Sequence, residues 1–247
     1  MRVFSKTDIG KVRDMNQDYY FVSDENEKLH LFILADGMGG YSGGEIASKM
    51  TVEIVRDYIY EHWNAIEQND NEIQDLIKLA TLRANELVYK KSREIEELKE
   101  MGTTLDVCLI LNDKIYISHI GDSRVYKISE NEIKCITSDH TYVQQLLKDG
   151  TITKEEAEIH PDRHMLIKAL GCNEIIEPDF YIEQWKDNEM ILLCSDGLTN
   201  LVKDNEIQRI VLNDLVSPEK SLVNAANDSG GIDNITVIII KNKMSKI

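Results

Sequence analysis

Residues 31–40 read Leu-Phe-Ile-Leu-Ala-Asp-Gly-Met-Gly-Gly, and this stretch constrains the fold more than any other part of the chain. Its apolar beginning has the length of a buried β-strand and ends abruptly at the carboxylate of Asp36. The glycines that follow let the backbone come close to whatever Asp36 binds, because glycine has no Cβ atom. The pattern therefore predicts a buried strand that holds Asp36 at its end, inside a binding site.

Four further aspartates stand beside apolar runs in a similar way. Asp18 opens the run that begins at Tyr19, Asp122 follows residues 115–120, Asp196 follows residues 190–194, and Asp233 precedes residues 235–240. A single aspartate of this kind is most simply a turn residue, since Asp-Gly and Asp-Asn pairs are ordinary turns. Five carboxylates at strand ends can instead meet at one mouth of a sheet structure, where they repel one another unless cations neutralise them.

The oxygen-only donor set indicates which cation would bind. No histidine or cysteine in this set has the spacing of zinc ligands, whereas carboxylate oxygens suit Mg²⁺ or Mn²⁺. The chain contains no Asp-x-Asp sequence, so these loops are not EF-hand loops. Two such ions would generate a hydroxide near neutral pH that could attack a phosphorus atom in line. Arg13 is the natural partner for that phosphate, and the plain alternative is a solvated surface arginine.

Other chemistries do not fit the sequence. Ser42 stands where a dinucleotide-binding loop requires its third glycine, and Glu45 stands where a P-loop requires lysine. None of the four cysteines has an arginine six residues later, and Ser195 does not lie in a Gly-x-Ser-x-Gly sequence. The net charge of −16 argues against nucleic acid or an anionic membrane as the main partner. Without a signal-peptide pattern or an apolar run long enough to span a membrane, we expect a cytoplasmic protein.

Apolar periodicity predicts the elements around these aspartates. Helical spacing runs over residues 43–63 and 71–99, and period-two alternation over residues 105–137 is typical of an antiparallel meander. Residues 138–178 are irregular apart from two short helical pieces, which indicates an excursion over the surface. Strand groups interleaved with helix pairs predict an α+β fold, with sheet packed on sheet and helices outside.

Six short motifs resemble those of one family, the metal-dependent protein phosphatases of type 2C, and in particular its short bacterial members. The motifs are Asp8-x-Gly10-x-x-Arg13-x-x-Asn16-Gln17-Asp18, Ala35-Asp36-Gly37-Met38-Gly39-Gly40, Gly102-Thr103-Thr104, Gly121-Asp122-Ser123-Arg124, Cys194-Ser195-Asp196-Gly197-Leu198 and Asp233-Asn234-Ile235-Thr236. They occur in the family's order and with similar separations, so the resemblance spans essentially the whole chain.

The resemblance implies a single phosphatase domain over residues 1–247, with a central antiparallel β-sandwich flanked by helices on both sides in four layers, α-β-β-α. It implies two Mn²⁺ or Mg²⁺ ions and, as in bacterial members, a third, weaker ion. The implied ligands are Asp36 as the bridge, the carbonyl of Gly37, Asp18, Asp196 and Asp233, with Asp122 and Asp196 for the third ion. Arg13 would bind the substrate phosphate, and residues 138–178 would form a mobile flap beside the site.

The expected activity is hydrolysis of phosphoserine and phosphothreonine in proteins by a metal-bridging hydroxide. Phosphorylated proteins are then the substrates, a cognate serine/threonine kinase is the expected partner, and a monomer is the expected state. A non-catalytic binding module of the same fold and a phosphatase for small-molecule phosphates remain as alternatives. Met38 and Tyr41 stand where family members carry histidines, so the acid for the leaving group is open between a metal-bound water and a flap histidine such as His160.

Overall fold

Two β-sheets form the centre of the molecule. The structure is a computed structural model that describes residues 1–24 and 26–242. The side chains of residues 40–42 are outside the described part, and the comparison made above for Tyr41 therefore lies outside it too. The strand order of the first sheet is β1 (Arg2–Asp8), β11 (Ile235–Lys241), β10 (Met190–Cys194), β7 (Arg124–Ile128) and β8 (Ile133–Cys135). The strand order of the second sheet is β2 (Asp18–Val22), β3 (His30–Met38), β5 (Leu105–Leu111), β6 (Lys114–Ile120) and β9 (Asp179–Gln184), with the short β4 (Gly102–Thr103) paired to β3. Neighbouring strands run antiparallel in both sheets.

Helices cover the outer face of each sheet. The described helices are α1 (Gly40–His62), α2 (Asp70–Glu94), α3 (Tyr142–Lys148), α4 (Lys154–Glu158), α5 (Asp196–Thr199), α6 (Asp204–Asn213) and α7 (Pro218–Asp228), with 3₁₀ turns at Trp63–Ala65 and Glu96–Leu98. The pair α1 and α2 packs on the sheet that contains β3, and the pair α6 and α7 packs on the sheet that contains β11. The layers are therefore α-β-β-α, which confirms the predicted fold class. Within the described residues, none of these helices combines the length and the apolar character needed to cross a membrane.

Alternation along the strands builds three layers of apolar core. In β3, Leu31 packs toward α1 and α2, whereas the next residue, Phe32, faces the other sheet. In β10, Leu192 packs toward α6 and α7, whereas Leu193 faces the space between the sheets. Burying each such side chain stabilises the fold by about 1.5–3 kcal/mol. The core between the sheets thereby fixes the relative position of the strand ends that carry the aspartates.

Two edge strands were not predicted from the sequence. Both β1 and β9 lie at the edge of their sheets, and their residues are mostly only partly buried. A strand with a partner on one side only needs little apolar alternation, so its sequence pattern is weak. The second long helix also ends earlier than predicted, at Glu94 rather than near residue 99, where Ile95 adopts an extended backbone (φ −124°, ψ 114°).

Residues 138–178 connect β8 to β9 and contain the short helices α3 and α4. An isolated antiparallel bridge pairs Thr141 with Leu166, so this connection folds back on itself. A second bridge pairs Thr103 of β4 with Leu170. Because β4 pairs with the end of β3, the connection is attached to the fold beside Asp36.

Candidate active site

The predicted aspartates come from both sheets and meet where the sheets end. β2 and β3 place Asp18 directly opposite Asp36 in register. On the other sheet, Asp196 begins α5 after β10, and Asp233 precedes β11, the neighbour of β10. A cleft of about 890 Å³ opens at this point, and the predicted residues on its walls are Arg13, Asp36, Gly37, Asp122, Asp196 and Asp233. Only Asp18 among the predicted site residues is absent from the cleft walls.

Asp18 lies beneath the cleft, with 6% of its surface exposed. Its Oδ2 accepts hydrogen bonds from the Ser195 hydroxyl at 2.8 Å and from the Thr236 hydroxyl at 2.6 Å. Its Oδ1 is buried without a hydrogen-bond partner. Burial, the largest cause, raises the pKa of Asp18 to about 7 together with the charges of Asp196 and Asp233, although the hydrogen bonds from the two hydroxyls act in the opposite direction. Asp18 is thus a poorly compensated anion in the metal-free protein.

The carboxylates on the cleft walls destabilise one another's charges. Burial is the main cause that raises the pKa of Asp36, followed by the charges of Asp18, Asp196 and Asp122. Burial and the charge of Asp196 likewise raise the pKa of Asp122. The pKa of Asp196 is raised by burial and then by Asp233. Each carboxylate would ionise more readily beside a cation, because an opposite charge favours the charged form.

This set of carboxylates fits hard divalent cations by its chemistry. All the donors are oxygens, which Mg²⁺ and Mn²⁺ prefer. The unpartnered Oδ1 of Asp18 is a buried oxygen that a cation or its water would satisfy. Among the described side chains, no three of the His, Cys, Asp and Glu groups already stand as a closed metal-ligating cluster. The match to a metal pair therefore comes from donor type, charge and the unpartnered oxygen.

Arg13 is anchored at the edge of the cleft. Its Nη2 donates to Oδ2 of Asp233 at 2.8 Å, and this bond is the main cause that raises the pKa of Arg13. Asn234 holds the loop that carries Arg13, since its Nδ2 donates to the carbonyls of Ile9 at 3.0 Å and Met15 at 2.9 Å. About half of the Arg13 side chain, 51%, stays exposed to the cleft side and solvent. A charged, partly exposed guanidinium beside the carboxylates is suited to bind an anion.

Gly37 is required by a close approach of backbone segments. Its N–H donates to the carbonyl of Gln17 at 3.1 Å. A Cβ atom at Gly37 would lie 2.1 Å from the carbonyl oxygen of Gly44 and 2.6 Å from that of Gln17, so no other residue fits without movement. The glycines thus pack the start of α1 directly against the end of β3.

The histidines of residues 138–178 lie in different surroundings. His140 is 6% exposed, and its Nδ1 accepts a hydrogen bond from the N–H of Gly121 at 3.0 Å. His160 is absent from the cleft walls, whereas His164 lies on them, close to Asp196. The hydroxyls of Ser195 and Thr236 and the amide of Asn234 were also not assigned roles from the sequence. Ser195 and Asn234 directly adjoin predicted aspartates, which is the one sequence signal that could have drawn attention to them.

Comparison with known proteins identifies the family. The family model described as protein phosphatase 2C matches residues 11–230. Protein phosphatase PhpP of Streptococcus pneumoniae is 36% identical over 243 residues, covering 97% of each chain. The crystal structure of the serine/threonine phosphatase Stp1 from Staphylococcus aureus has a TM-score of 0.87 at 33% identity, covering 98% of this chain and 94% of that one. The catalytic domain of the phosphatase PstP in complex with two manganese ions has a TM-score of 0.83 at 30% identity, covering 97% of each chain. The chain belongs to the protein phosphatase 2C family.

Proposed function

We propose that the chain is a metal-dependent serine/threonine phosphatase that hydrolyses phosphoserine and phosphothreonine in phosphorylated proteins. The observation that carries this proposal is the set of five aspartates on and beneath one cleft, with Arg13 fixed beside them. Family membership supports it, because the related proteins are named as protein or serine/threonine phosphatases. A relative with two bound manganese ions supports Mn²⁺ or Mg²⁺ as the cofactor.

In this proposal Asp18, Asp36, the carbonyl of Gly37, Asp196 and Asp233 hold two ions, and Asp122 with Asp196 holds a weaker third one. The unpartnered, buried oxygen of Asp18 and the mutually raised pKa values of Asp36, Asp122 and Asp196 support these assignments. When bound, the ions would supply positive charge for the transition state and lower the pKa of a water molecule enough to make it a nucleophile at neutral pH.

The protein's own residues bind and orient the phosphate. Arg13 donates N–H groups to two phosphate oxygens, as guanidinium groups do with planar or tetrahedral oxyanions. Asp233 accepts from Nη2 of Arg13 and so orients the guanidinium before substrate arrives. Because that interaction is already made in the free protein, little conformational entropy is lost when phosphate binds.

Other parts of the proposal concern the surroundings of the site. Residues 138–178 would form a flap that contacts substrate, which is supported by Leu166 and His164 lying on the cleft walls. A single phosphatase domain spans the chain in this proposal, since both sheets contribute to one site. We further propose that the protein acts as a monomer in the cytoplasm and opposes a cognate serine/threonine kinase.

Turnover of a phosphothreonine peptide with and without Mn²⁺ tests the proposed function. We expect phosphate release that requires Mn²⁺ or Mg²⁺ and stops with a chelator. Asp36→Asn and Asp233→Asn should abolish it, because each removes a proposed ligand charge, while circular dichroism shows an unchanged fold. Asp75→Asn, at an exposed position of α2, is the matched control and should retain turnover.

The alternatives predict other results in the same assay. A non-catalytic binding module would release no phosphate from any substrate with any metal. A phosphatase for small-molecule phosphates would hydrolyse an aryl phosphate but not the peptide. Full turnover by both aspartate variants would overturn the assignment of the metal ligands.

A further inference from the structure

Apolar side chains lie on the walls of the cleft that also contains Arg13, the proposed phosphate-binding residue. Val12, Met15, Ile232 and Leu166 all lie on its walls, and we refer to these four residues as the apolar rim. Val12 is 63% exposed, Met15 37% and Ile232 51%. Contiguous exposed apolar side chains are unfavourable in water and mark binding surfaces more often than chance allows. Here they stand in a chain whose net charge is −16.

Three of the four rim residues lie on segments that are tied to each other beside Arg13. Val12 directly precedes Arg13, and Met15 follows it two residues later. The loop is tied to the segment before β11, since the N–H of Lys11 donates to the carbonyl of Gly231 at 2.7 Å and the side chain of Asn234 donates to the carbonyl of Met15 at 2.9 Å. These bonds hold the segments of Val12, Met15 and Ile232 in place before any ligand binds, so the entropy cost of using these three residues for recognition is small.

The position of the rim identifies what would cover it. When Arg13 binds the phosphate of a phosphopeptide, the residues next to the phosphoresidue must also lie at the cleft, because an extended segment advances only about 3.3 Å per residue. A small-molecule phosphate has no such neighbours. Acidic neighbours would be repelled by Asp14, which lines the same cleft and is not among the proposed metal ligands. The rim is continuous with the phosphate site and is chemically matched to an apolar side chain.

We propose that the enzyme selects phosphoprotein segments in which an apolar side chain adjoins the phosphoserine or phosphothreonine, and that the apolar rim binds that side chain. The inference rests on the proposed phosphatase function and adds its substrate class. Val12 and Ile232, which directly precede Arg13 and Asp233 in the chain, are the specificity-determining residues. Their contribution should appear mainly in KM, because contacts with a flanking side chain do not change during phosphate transfer.

Three phosphothreonine peptides of otherwise identical sequence test the proposal, with Leu, Ser or Asp at both positions next to the phosphothreonine. We expect kcat/KM for the Leu peptide to exceed that for the Ser peptide by about tenfold, the lower end for an apolar contact in a binding site. The Asp peptide should be the poorest substrate. The double variant Val12→Ser/Ile232→Ser should bring the Leu-to-Ser ratio close to one.

Val216→Ser is the matched control, because Val216 is 84% exposed and is absent from the cleft walls. That variant should keep the tenfold ratio. Equal kcat/KM for the Leu and Ser peptides in the unmodified enzyme would overturn the inference while leaving the phosphatase function intact. A ratio that survives in the double variant would also overturn it. Absence of turnover with all three peptides would refute the proposed function itself, and the inference with it.

Discussion

Replacing Asp18 with asparagine should stabilise the metal-free protein at pH 8 and weaken its response to Mn²⁺. The carboxylate of Asp18 is buried, and only two hydroxyl groups donate to it. Burial, as the main cause, raises its pKa from 3.8 to about 7. At pH 8, ionising Asp18 therefore costs about 4 kcal/mol more in the folded protein than in the unfolded chain.

The asparagine side chain removes the charge but introduces a smaller cost. Its carbonyl can accept the hydrogen bonds of Ser195 and Thr236, so both hydroxyls keep a partner. Its NH₂ group then occupies the place of Oδ1, which has no partner in the protein. An unsatisfied buried amide costs about 1–3 kcal/mol. The net stabilisation expected at pH 8 is therefore about 1–3 kcal/mol.

The sign of this effect should depend on pH. The pKa of Asp18 is higher in the folded protein than in the unfolded chain, so the folded protein binds an extra proton between about pH 4 and 7. The contribution of Asp18 to the free energy of unfolding of the wild type therefore falls as pH rises through that window and stays constant above it. The asparagine variant lacks this slope. Its advantage should shrink below pH 7, vanish at about pH 5 and reverse toward pH 4, because Asp18 of the folded wild type is then protonated and uncharged whereas the variant keeps its unsatisfied amide.

Urea unfolding of chelator-treated protein at pH 5 and pH 8 measures this difference, with Asp75→Asn as the exposed control on α2. Mn²⁺ at a hundredfold excess over its dissociation constant should stabilise the wild type by about 2.7 kcal/mol and the Asp18 variant by less. A variant that is less stable than the wild type at pH 8 without metal would refute the reasoning. The reasoning would also be refuted if Asp75→Asn changed the pH dependence of stability as much as Asp18→Asn does.

Two further substitutions test the phosphate site and the glycine contact. Arg13→Ala should lower kcat/KM for a phosphothreonine peptide by about 10- to 100-fold, with partial recovery in Arg13→Lys, because lysine offers a point charge without the bidentate geometry. The thermal unfolding temperature should change little, since the Arg13–Asp233 pair is partly exposed. An unchanged kcat/KM in Arg13→Ala would exclude a role for Arg13 in phosphate binding. Gly44→Ala places a Cβ atom 2.7 Å from the carbonyl carbon of Gly37 and should cost about 1–3 kcal/mol in thermal unfolding, with a higher Mn²⁺ concentration needed for half-maximal activity. A neutral effect on both measurements would mean that the Gly37 backbone is free to move.

The sequence predicts well those parts of the site whose position follows from the pattern of neighbouring residues. Asp36 and Asp196 each follow an apolar run that becomes a buried strand, so their place at a strand end can be read from neighbouring residues. The layer order follows from helix and strand periods in the same way. The edge strand β1 was missed because its residues are mostly half-buried and carry no strong alternation.

Long-range contacts could not be predicted from the single sequence. Ser195 and Thr236 donate to Asp18 from the other sheet, across 177 and 218 positions of sequence. His140 is buried, and its ring accepts a hydrogen bond from the N–H of Gly121 across 19 positions, but no local pattern distinguishes it from an exposed histidine of the same segment. These contacts depend on how the two sheets pack, which periodicity along one strand does not determine.

The site exists only because the two sheets are held together by their shared core. One sheet contributes Asp18 and Asp36, and the other contributes Ser195 and the strand ends beside Asp196 and Asp233. Bringing these carboxylates together is electrostatically unfavourable, as their raised pKa values indicate. The apolar layer between the sheets offsets this, at about 1.5–3 kcal/mol for each fully buried side chain. The core therefore does more than stabilise the fold, because it holds together carboxylates that disfavour one another's charge until divalent cations bind them.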